Sequence, residues 1–341
     1  MAKQKIFFII NPISGRRRKT SLSKQIHQNI DKEKFEIKIS YTEYPGHATQ
    51  LAAEAIEAGV NFVVAVGGDG TVNEVARAVV GTSSALGIIP CGSGNGLARH
   101  LQIPLNVKNA LKVINEMDVR SLDYGIIDGH PFFCTCGVGF DAFISEKFAN
   151  YGKRGLKSYV ENVLGQGFSY KSEYYELSID GDVNTHKAFL ITCANASQYG
   201  NNAFIAPHAS MEDGVMDIVM ISPFNVVEAP LIATQLFSKQ LPKNNHIKMF
   251  KGTKVTITRA HAGAIHCDGD PYEAGERIDV ELIPHQFKVI VNGKAKPTNI
   301  ILGSLKNDFL KWREWQQREW RRQHFLLKKL RYYFAKKFVR K

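Results

Sequence analysis

The sequence predicts a two-domain α/β protein, a doubly wound parallel sheet followed by a mostly β sandwich. Short apolar runs at 6–10, 62–66 and 85–89 alternate with helical segments in the first third, as buried parallel strands do between crossover helices. After Arg120 the pattern changes to strand-length runs separated by turns such as Asp180-Gly181 and Asn292-Gly293. A chain of 341 residues, 44% of them hydrophobic, can fill two cores.

Residues 6–10 form the first strand, and Asn11-Pro12-Ile13-Ser14-Gly15 its loop. Residues 20–30 suit a helix, Phe35, Ile37, Ile39 and Tyr41 repeat with period two, and 48–58 are helical in composition up to Gly59. Strands 62–66 and 85–89 are apolar on both faces, the mark of a sheet covered by helices on each side. In the second half 132–137, 174–179, 188–193, 215–221, 255–258, 278–282 and 287–291 read as strands, and 158–164 and 226–237 as helical insertions. The expected units are 1–125, 126–305 and a tail, 306–341.

Charge is concentrated in that tail. The net charge is +12, and residues 306–341 hold thirteen Lys or Arg against three acidic residues, together with all three Trp. Residues 304–341 lack Gly and Pro, and at 100° per residue Phe309, Trp312, Trp315, Trp320, Leu326, Leu327, Leu330, Tyr333, Phe334 and Phe338 fall in one broad band. Such a stripe packs on a core, or lies as an amphipathic helix on an anionic membrane surface. Nucleic acid is not the expected partner, because stacking platforms sit on a sheet or groove. No stretch reaches the length of a membrane span, and residues 6–10 are too short for a secretory signal. Five Cys without metal spacing suit a reduced, cytoplasmic compartment.

Three strand ends carry unusual loops. The run Val66-Gly67-Gly68-Asp69-Gly70-Thr71 joins a β-branched strand to a helix, so backbone N–H groups can approach a phosphate closely. Asp69 sits where a carboxylate could hold magnesium. The other loops are 11–15, with Arg16, Arg17, Arg18 and Lys19 behind it, and Pro90-Cys91-Gly92-Ser93-Gly94-Asn95-Gly96. In a parallel sheet these ends share one edge, where Asn11, Ser93 and Asn95 offer directional donors. No Gly-Lys-Ser/Thr follows the glycines as in a Walker loop, and Gly-x-Gly-x-x-Gly does not open the first βα unit.

Gly67-Gly68-Asp69-Gly70-Thr71 followed by Gly92-Ser93-Gly94-Asn95 resembles the diacylglycerol kinase catalytic domain superfamily, over residues 3 to 303. The resemblance implies an N-terminal ATP-binding domain and a C-terminal β-rich lipid-binding domain whose last residues return to the first. It implies ATP among Asn11, Thr42, Gly67, Gly68, Gly70, Thr71, Glu74, Gly92, Ser93 and Asn95, with magnesium organised by Asp69. Gly-Gly-Asp-Gly also occurs in NAD kinases and phosphofructokinases, so it does not alone select the acceptor.

His266-Cys267-Asp268-Gly269-Asp270 is, by physics alone, as well read as an exposed turn. The resemblance makes Asp268 the general base and Asp270, where Glu is usual, a metal ligand. It gives Asp123 a supporting catalytic place and makes Asp213 a candidate for a structural magnesium. Gly137-Val138-Gly139-Phe140-Asp141-Ala142 resembles the segment that opens the lipid domain, although Asp141 could simply cap a helix.

The expected function is ATP-dependent transfer of the γ-phosphoryl to a lipid hydroxyl. The Gly-Ser-Gly-Asn form resembles that of sphingosine and ceramide kinases, and this likeness places a sphingoid long-chain base slightly ahead of diacylglycerol or another glycerolipid. An NAD kinase and a non-catalytic nucleotide- or lipid-binding protein are the other readings. The expected location is cytoplasmic, peripheral on the inner face of the cell membrane through 306–341. The sequence leaves room for a homodimer.

Overall fold

The first four strands are β1 (Gln4–Ile10), β2 (Phe35–Tyr41), β3 (Phe62–Gly67) and β4 (Ala85–Pro90). They lie parallel in the order β2-β1-β3-β4. The computed structural model describes residues 3–14, 19–151 and 170–295. The expectations for Arg16 to Arg18, for a helix at 158–164 and for the tail 306–341 concern residues outside the described ones.

Helices α1 (Lys19–Asn29), α2 (His47–Glu57), α3 (Asp69–Val79), α4 (Gly96–His100) and α5 (Val107–Glu116) alternate with these strands. Pairs α1·α5 and α2·α3 make two helical layers, so β3 and β4 are buried along their whole length. Each large aliphatic or aromatic side chain enclosed there, Phe8 and Ile89 among them, contributes about 1.5–3 kcal/mol. Asn106 caps α5 by accepting from the N–H groups of Lys108 and Asn109, and Met117 ends it in the left-handed conformation.

The second half is β-rich: β5 (Val119–Ile127), β6 (His130–Phe132), β7 (Thr135–Gly139), α6 (Phe140–Tyr151), β8 (Glu173–Ile179), β9 (Asp182–Ala188), β10 (Leu190–Ala194) and β11 (Met216–Ile221). Then come α7 (Ala229–Phe237), β12 (Ile247–Gly252), β13 (Lys254–Arg259), β14 (Gly263–Cys267), β15 (Asp270–Ala274) and β16 (Arg277–Ile290). Strands β12-β11-β10-β7-β14-β15 form an antiparallel sheet. It packs face to face on β5, β8, β13 and the first half of β16, around Phe132, Val138, Leu177, Ile218, Ile257 and Val280.

The segments 278–282 and 287–291, expected as two strands, are joined in β16, which spans 14 residues. Its first half pairs with β13, and its second half touches β4 at Val289. Phe287, Val289 and Ile290 therefore pack in the first core, and Ile278, Val280 and Leu282 in the second. One sheet of ten strands thus runs through both lobes. The run 132–137, expected as one strand, bends at Phe133-Cys134 between β6 and β7.

Asp123, fully buried on β5, holds the crossing together. Its Oδ2 accepts from the Gly214 N–H at 2.9 Å, and its Oδ1 from the His285 N–H at 2.9 Å, in the bulge of β16. The Asn195 amide donates to the Asp123 and Phe133 carbonyls, each at 2.9 Å. Asp123→Ala would leave two interior N–H groups unpaired, and the expected loss is about 2–5 kcal/mol of unfolding free energy. Urea titration measures it; a loss indistinguishable from zero would remove Asp123 from this role.

Candidate functional site

The loops after β1, β2, β3 and β4 gather at one edge of the parallel sheet. Asn11 N–H donates to Val66 O at 3.0 Å, Thr42 N–H to Ile10 O at 2.9 Å and Cys91 N–H to Gly67 O at 2.7 Å. Gly68 and Gly92 bring two backbones into contact, since a Cβ on Gly92 would stand 2.5 Å from the Gly68 Cα. Only glycine allows that approach.

Most of the polar groups expected to face a ligand also hold these loops. Asn11 Nδ2 donates to Thr71 Oγ1 at 3.0 Å. Asn95 folds back on its own loop, accepting from Gly92 N–H at 3.0 Å and donating to Gly92 O at 2.7 Å. Glu74 Oε2 accepts from Ala48 N–H at 3.0 Å, tying α3 to α2. Ser93 and Gly70 are exposed on the loop surfaces. Asp69 joins the second and third loops, its Oδ2 accepting from Asn95 N–H at 2.7 Å and its Oδ1 from Gly96 N–H at 2.6 Å. Gly94 must lack a side chain because a Cβ there would stand 2.6 Å from Asp69 Oδ2.

The second acidic motif lies in the β14–β15 hairpin. Cys267 pairs with Asp270, so Asp268 and Gly269 form a two-residue turn, with φ of 50° and 90°. Two left-handed residues are what a type I′ turn requires, and Asp-Gly supplies them. The element is therefore a turn, and the turn sets the Asp268 carboxylate on the bend of 133–135. Its Oδ2 accepts from Phe133 N–H at 2.8 Å, and its Oδ1 from Cys134 N–H at 2.7 Å and Thr135 N–H at 2.9 Å. Burial raises its pKa to about 6, against the opposing pull of those three N–H groups and of His266.

The Cys134 thiol is pushed well up by burial first, then by the charge of Asp268 and then by that of Asp69. The remaining acidic residues are placed differently. Asp270 is exposed, 3.8 Å from the Arg77 guanidinium, which also donates to the Tyr272 hydroxyl at 3.1 Å. It does not share the interior side of the turn with Asp268. Asp213 Oδ2 lies 3.0 Å from the Lys251 ammonium, which also faces the buried Asp217 at 4.0 Å. A divalent ion there would have to displace that ammonium. Among the described residues no group of three or more His, Cys, Asp or Glu forms a metal cage. Magnesium bound through one or two carboxylates and substrate phosphates needs none.

Several residues that position the site were not legible as such. His100 accepts from Ser197 N–H at 3.1 Å, and burial lowers its pKa to about 4, which keeps it neutral. Asn201 N–H and Arg99 Nε both donate to Gly94 O, at 3.1 and 2.9 Å. Asp141 does not precede its helix as a cap but lies in the first turn of α6, where its Oδ1 accepts from Ala142 N–H at 2.9 Å. Its Oδ2 also receives Thr192 Oγ1 at 2.8 Å and the Tyr199 hydroxyl at 3.1 Å, and lies 3.0 Å from His266 Nε2. These partners are scattered along the chain, and no local spacing announces them.

Residues 5–127 match the diacylglycerol kinase catalytic domain, and residues 134–291 match the YegS C-terminal NAD kinase beta sandwich-like domain. The chain is 30% identical over 235 residues to a probable lipid kinase YegS-like of Chromohalobacter salexigens, covering 66% of this chain and 75% of that one. It is 28% identical over 268 residues to the diacylglycerol kinase of Bacillus subtilis, covering 77% and 88%. An uncharacterized protein of Synechocystis is 29% identical over 281 residues, and the match spans 77% of this chain but 64% of that longer protein. Among solved structures, that of a putative diacylglycerol kinase from Bacillus anthracis shares the fold, with a TM-score of 0.68 at 23% identity over 86% of this chain and 99% of that one.

Asp69→Ala would unpair the Asn95 and Gly96 N–H groups, and about 1–3 kcal/mol of local stability is expected to go with them. Amide hydrogen exchange should then quicken in residues 92–97 and stay unchanged in β10 and β11. Unchanged exchange at 92–97 would show that Asp69 does not pin the loop.

Proposed function

We propose, for a chain that belongs to the diacylglycerol kinase catalytic domain superfamily and is an ATP-dependent lipid kinase, that the γ-phosphoryl of ATP passes to a hydroxyl of a diacylglycerol-type glycerolipid. The observation that carries the mechanism is Asp268, a carboxylate fixed on three N–H groups, with a pKa of about 6. The expected sphingoid base draws no support from the relatives. The Bacillus subtilis relative, matched over 88% of its length, is a diacylglycerol kinase, which favours the glycerolipid held as the alternative.

In this reading residues 1–125 hold ATP, 126–305 hold the lipid and 306–341 meet the membrane. The loops at Asn11, Thr42, Gly67 to Thr71 and Gly92 to Asn95 cradle the nucleotide, with the glycines admitting phosphate oxygens to the backbone. Glu74 fixes the entry of α2 beside them. Asp268 takes the proton of the lipid hydroxyl as that oxygen bonds to the γ-phosphorus and ADP leaves. Burial has moved this carboxylate nearer the working pH, which makes it a better base than an ordinary Asp. Magnesium, when bound, offsets phosphate charge, and Asp69 would hold it, because each of its oxygens keeps a second lone pair. Asp123 and Asn195 are positioning residues, since they secure the bend on which Asp268 sits. Arg77 holds Asp270 and Tyr272 against α3.

Three measurements test this. The kcat/KM for lipid should rise with pH to a plateau, with a midpoint near 6 on the acid limb, because the deprotonated form is the base. Asp268→Asn should retain ATP binding, lose that limb and lower turnover by about 10²–10⁴-fold; retained turnover would remove Asp268 as the base. Gly92→Ala should raise the Kd for ATP by roughly tenfold or more, as overpacking costs about 1–3 kcal/mol; an unchanged Kd would place ATP elsewhere. Labelled ATP with magnesium, offered to micelles of diacylglycerol, dihydrosphingosine, ceramide or phosphatidylglycerol and to soluble NAD, should label diacylglycerol. Label on dihydrosphingosine alone would restore the sphingoid reading, and label on NAD alone would overturn the lipid one. ATP binding without turnover would mark a non-catalytic protein.

A further inference from the structure

We propose that α7 and the turn before it are a membrane-docking surface, lying flat in the interface of an anionic bilayer. The inference rests on the lipid-kinase reading, and it concerns a surface separate from the tail. Helix α7 reads Ala-Pro-Leu-Ile-Ala-Thr-Gln-Leu-Phe, nine residues without a charge. Ile232 is its buried residue, whereas Leu231 is 55% exposed and Phe237 41%. Val227, in the preceding turn, is 86% exposed. A helix that faces water normally shows charged or polar residues on its outer side. This one presents large apolar side chains there.

The surroundings identify the occupant. Between 223 and 248 stand Lys239, Lys243 and Lys248, against Glu228 as the sole acidic residue. The Glu228 carboxylate is itself engaged, 3.1 Å from His246 Nε2 and accepting from Asn225 N–H at 2.7 Å. The Lys239 ammonium lies 4.5 Å over the Phe204 ring, at the end of the helix. Apolar side chains bordered by lysines match a bilayer interface, where the former reach the acyl chains and the latter the anionic headgroups. At about 1.5 Å per residue the helix is far too short to cross, so it lies in the plane.

The helix is also tied to the site. Leu236 O accepts from Phe204 N–H at 2.9 Å, and Asn201 N–H, in the same segment, donates to Gly94 O at 3.1 Å. One short segment therefore links the docked helix to the third loop. A lipid drawn from the bilayer would meet a site already set against the membrane.

The test places an environment-sensitive NBD dye on Leu231→Cys in the full chain, with Val183→Cys on β9 as a control on the other sheet. The unsubstituted chain, labelled in the same way, gives the background from Cys91 and the buried thiols. Vesicles of equal parts phosphatidylglycerol and phosphatidylcholine should raise the emission at 231 severalfold and move it to shorter wavelength. Pure phosphatidylcholine should do less, and emission at 183 should stay unchanged. No response at 231, or emission already shifted without vesicles because a second copy or another part of the chain covers the face, would overturn the proposal. Phosphorylation of water-soluble dihexanoylglycerol is followed in parallel. Its absence would count against the lipid-kinase reading, whereas an active enzyme with a silent dye would count against the docking surface alone.

Discussion

Everything at the site depends on how Asp268 is held. A carboxylate in a largely enclosed place loses hydration, which raises its pKa, and three N–H groups from consecutive residues recover part of that loss. The balance leaves a group that is ionised near neutrality and still able to take a proton. The same three bonds fix its position, because the bend at 133–135 can present three donors only while β6 and β7 stay apart. That bend is fixed by the Asn195 amide and, through it, by Asp123. The link to Asp123 runs through its main-chain carbonyl, while its carboxylate holds Gly214 and His285.

The nucleotide side uses carboxylate chemistry differently. Asp69 spends one lone pair of each oxygen on the third loop, and Asn11 and Asn95 spend their amides on the loops as well. This edge is a preorganised frame in which the side chains hold the backbone. Such a frame costs little reorganisation when a polyanion arrives. It also accounts for the Gly68–Gly92 contact, since a frame so close has no room for Cβ atoms.

Much of this was legible in the sequence, for reasons that differ by element. Strands β1, β3 and β4 were readable because both faces are buried and the runs are uniformly apolar. The loops at 67–71 and 90–96 were readable because glycine needs a reason. The β14–β15 turn could be seen but not weighed, since Asp-Gly makes an exposed turn and a turn anchored on a distant bend from the same two residues. What distinguishes them is the bend at 133–135, more than 130 residues away. Strand β16 could not be read as one element, because its two apolar halves serve different cores and the bulge at His285 interrupts the period. Asn195, His100 and Asp141 act through partners distant in sequence, so no window of the chain contains their signal.

The continuous ten-stranded sheet bears on how the two lobes can work together. A hinge between domains needs a linker that absorbs changes in φ and ψ, and here β5 and β16 pair with each other along most of their length across the boundary. Asp123 pins β5 to the bulge of β16, the one place where that pairing shifts register. Opening the lobes would break this ladder and unpair buried N–H groups. The two lobes are therefore joined by a shared ladder rather than by a hinge. Segment 197–206, with α7 behind it, lies outside this sheet and is held at the third loop by a few hydrogen bonds rather than by a strand.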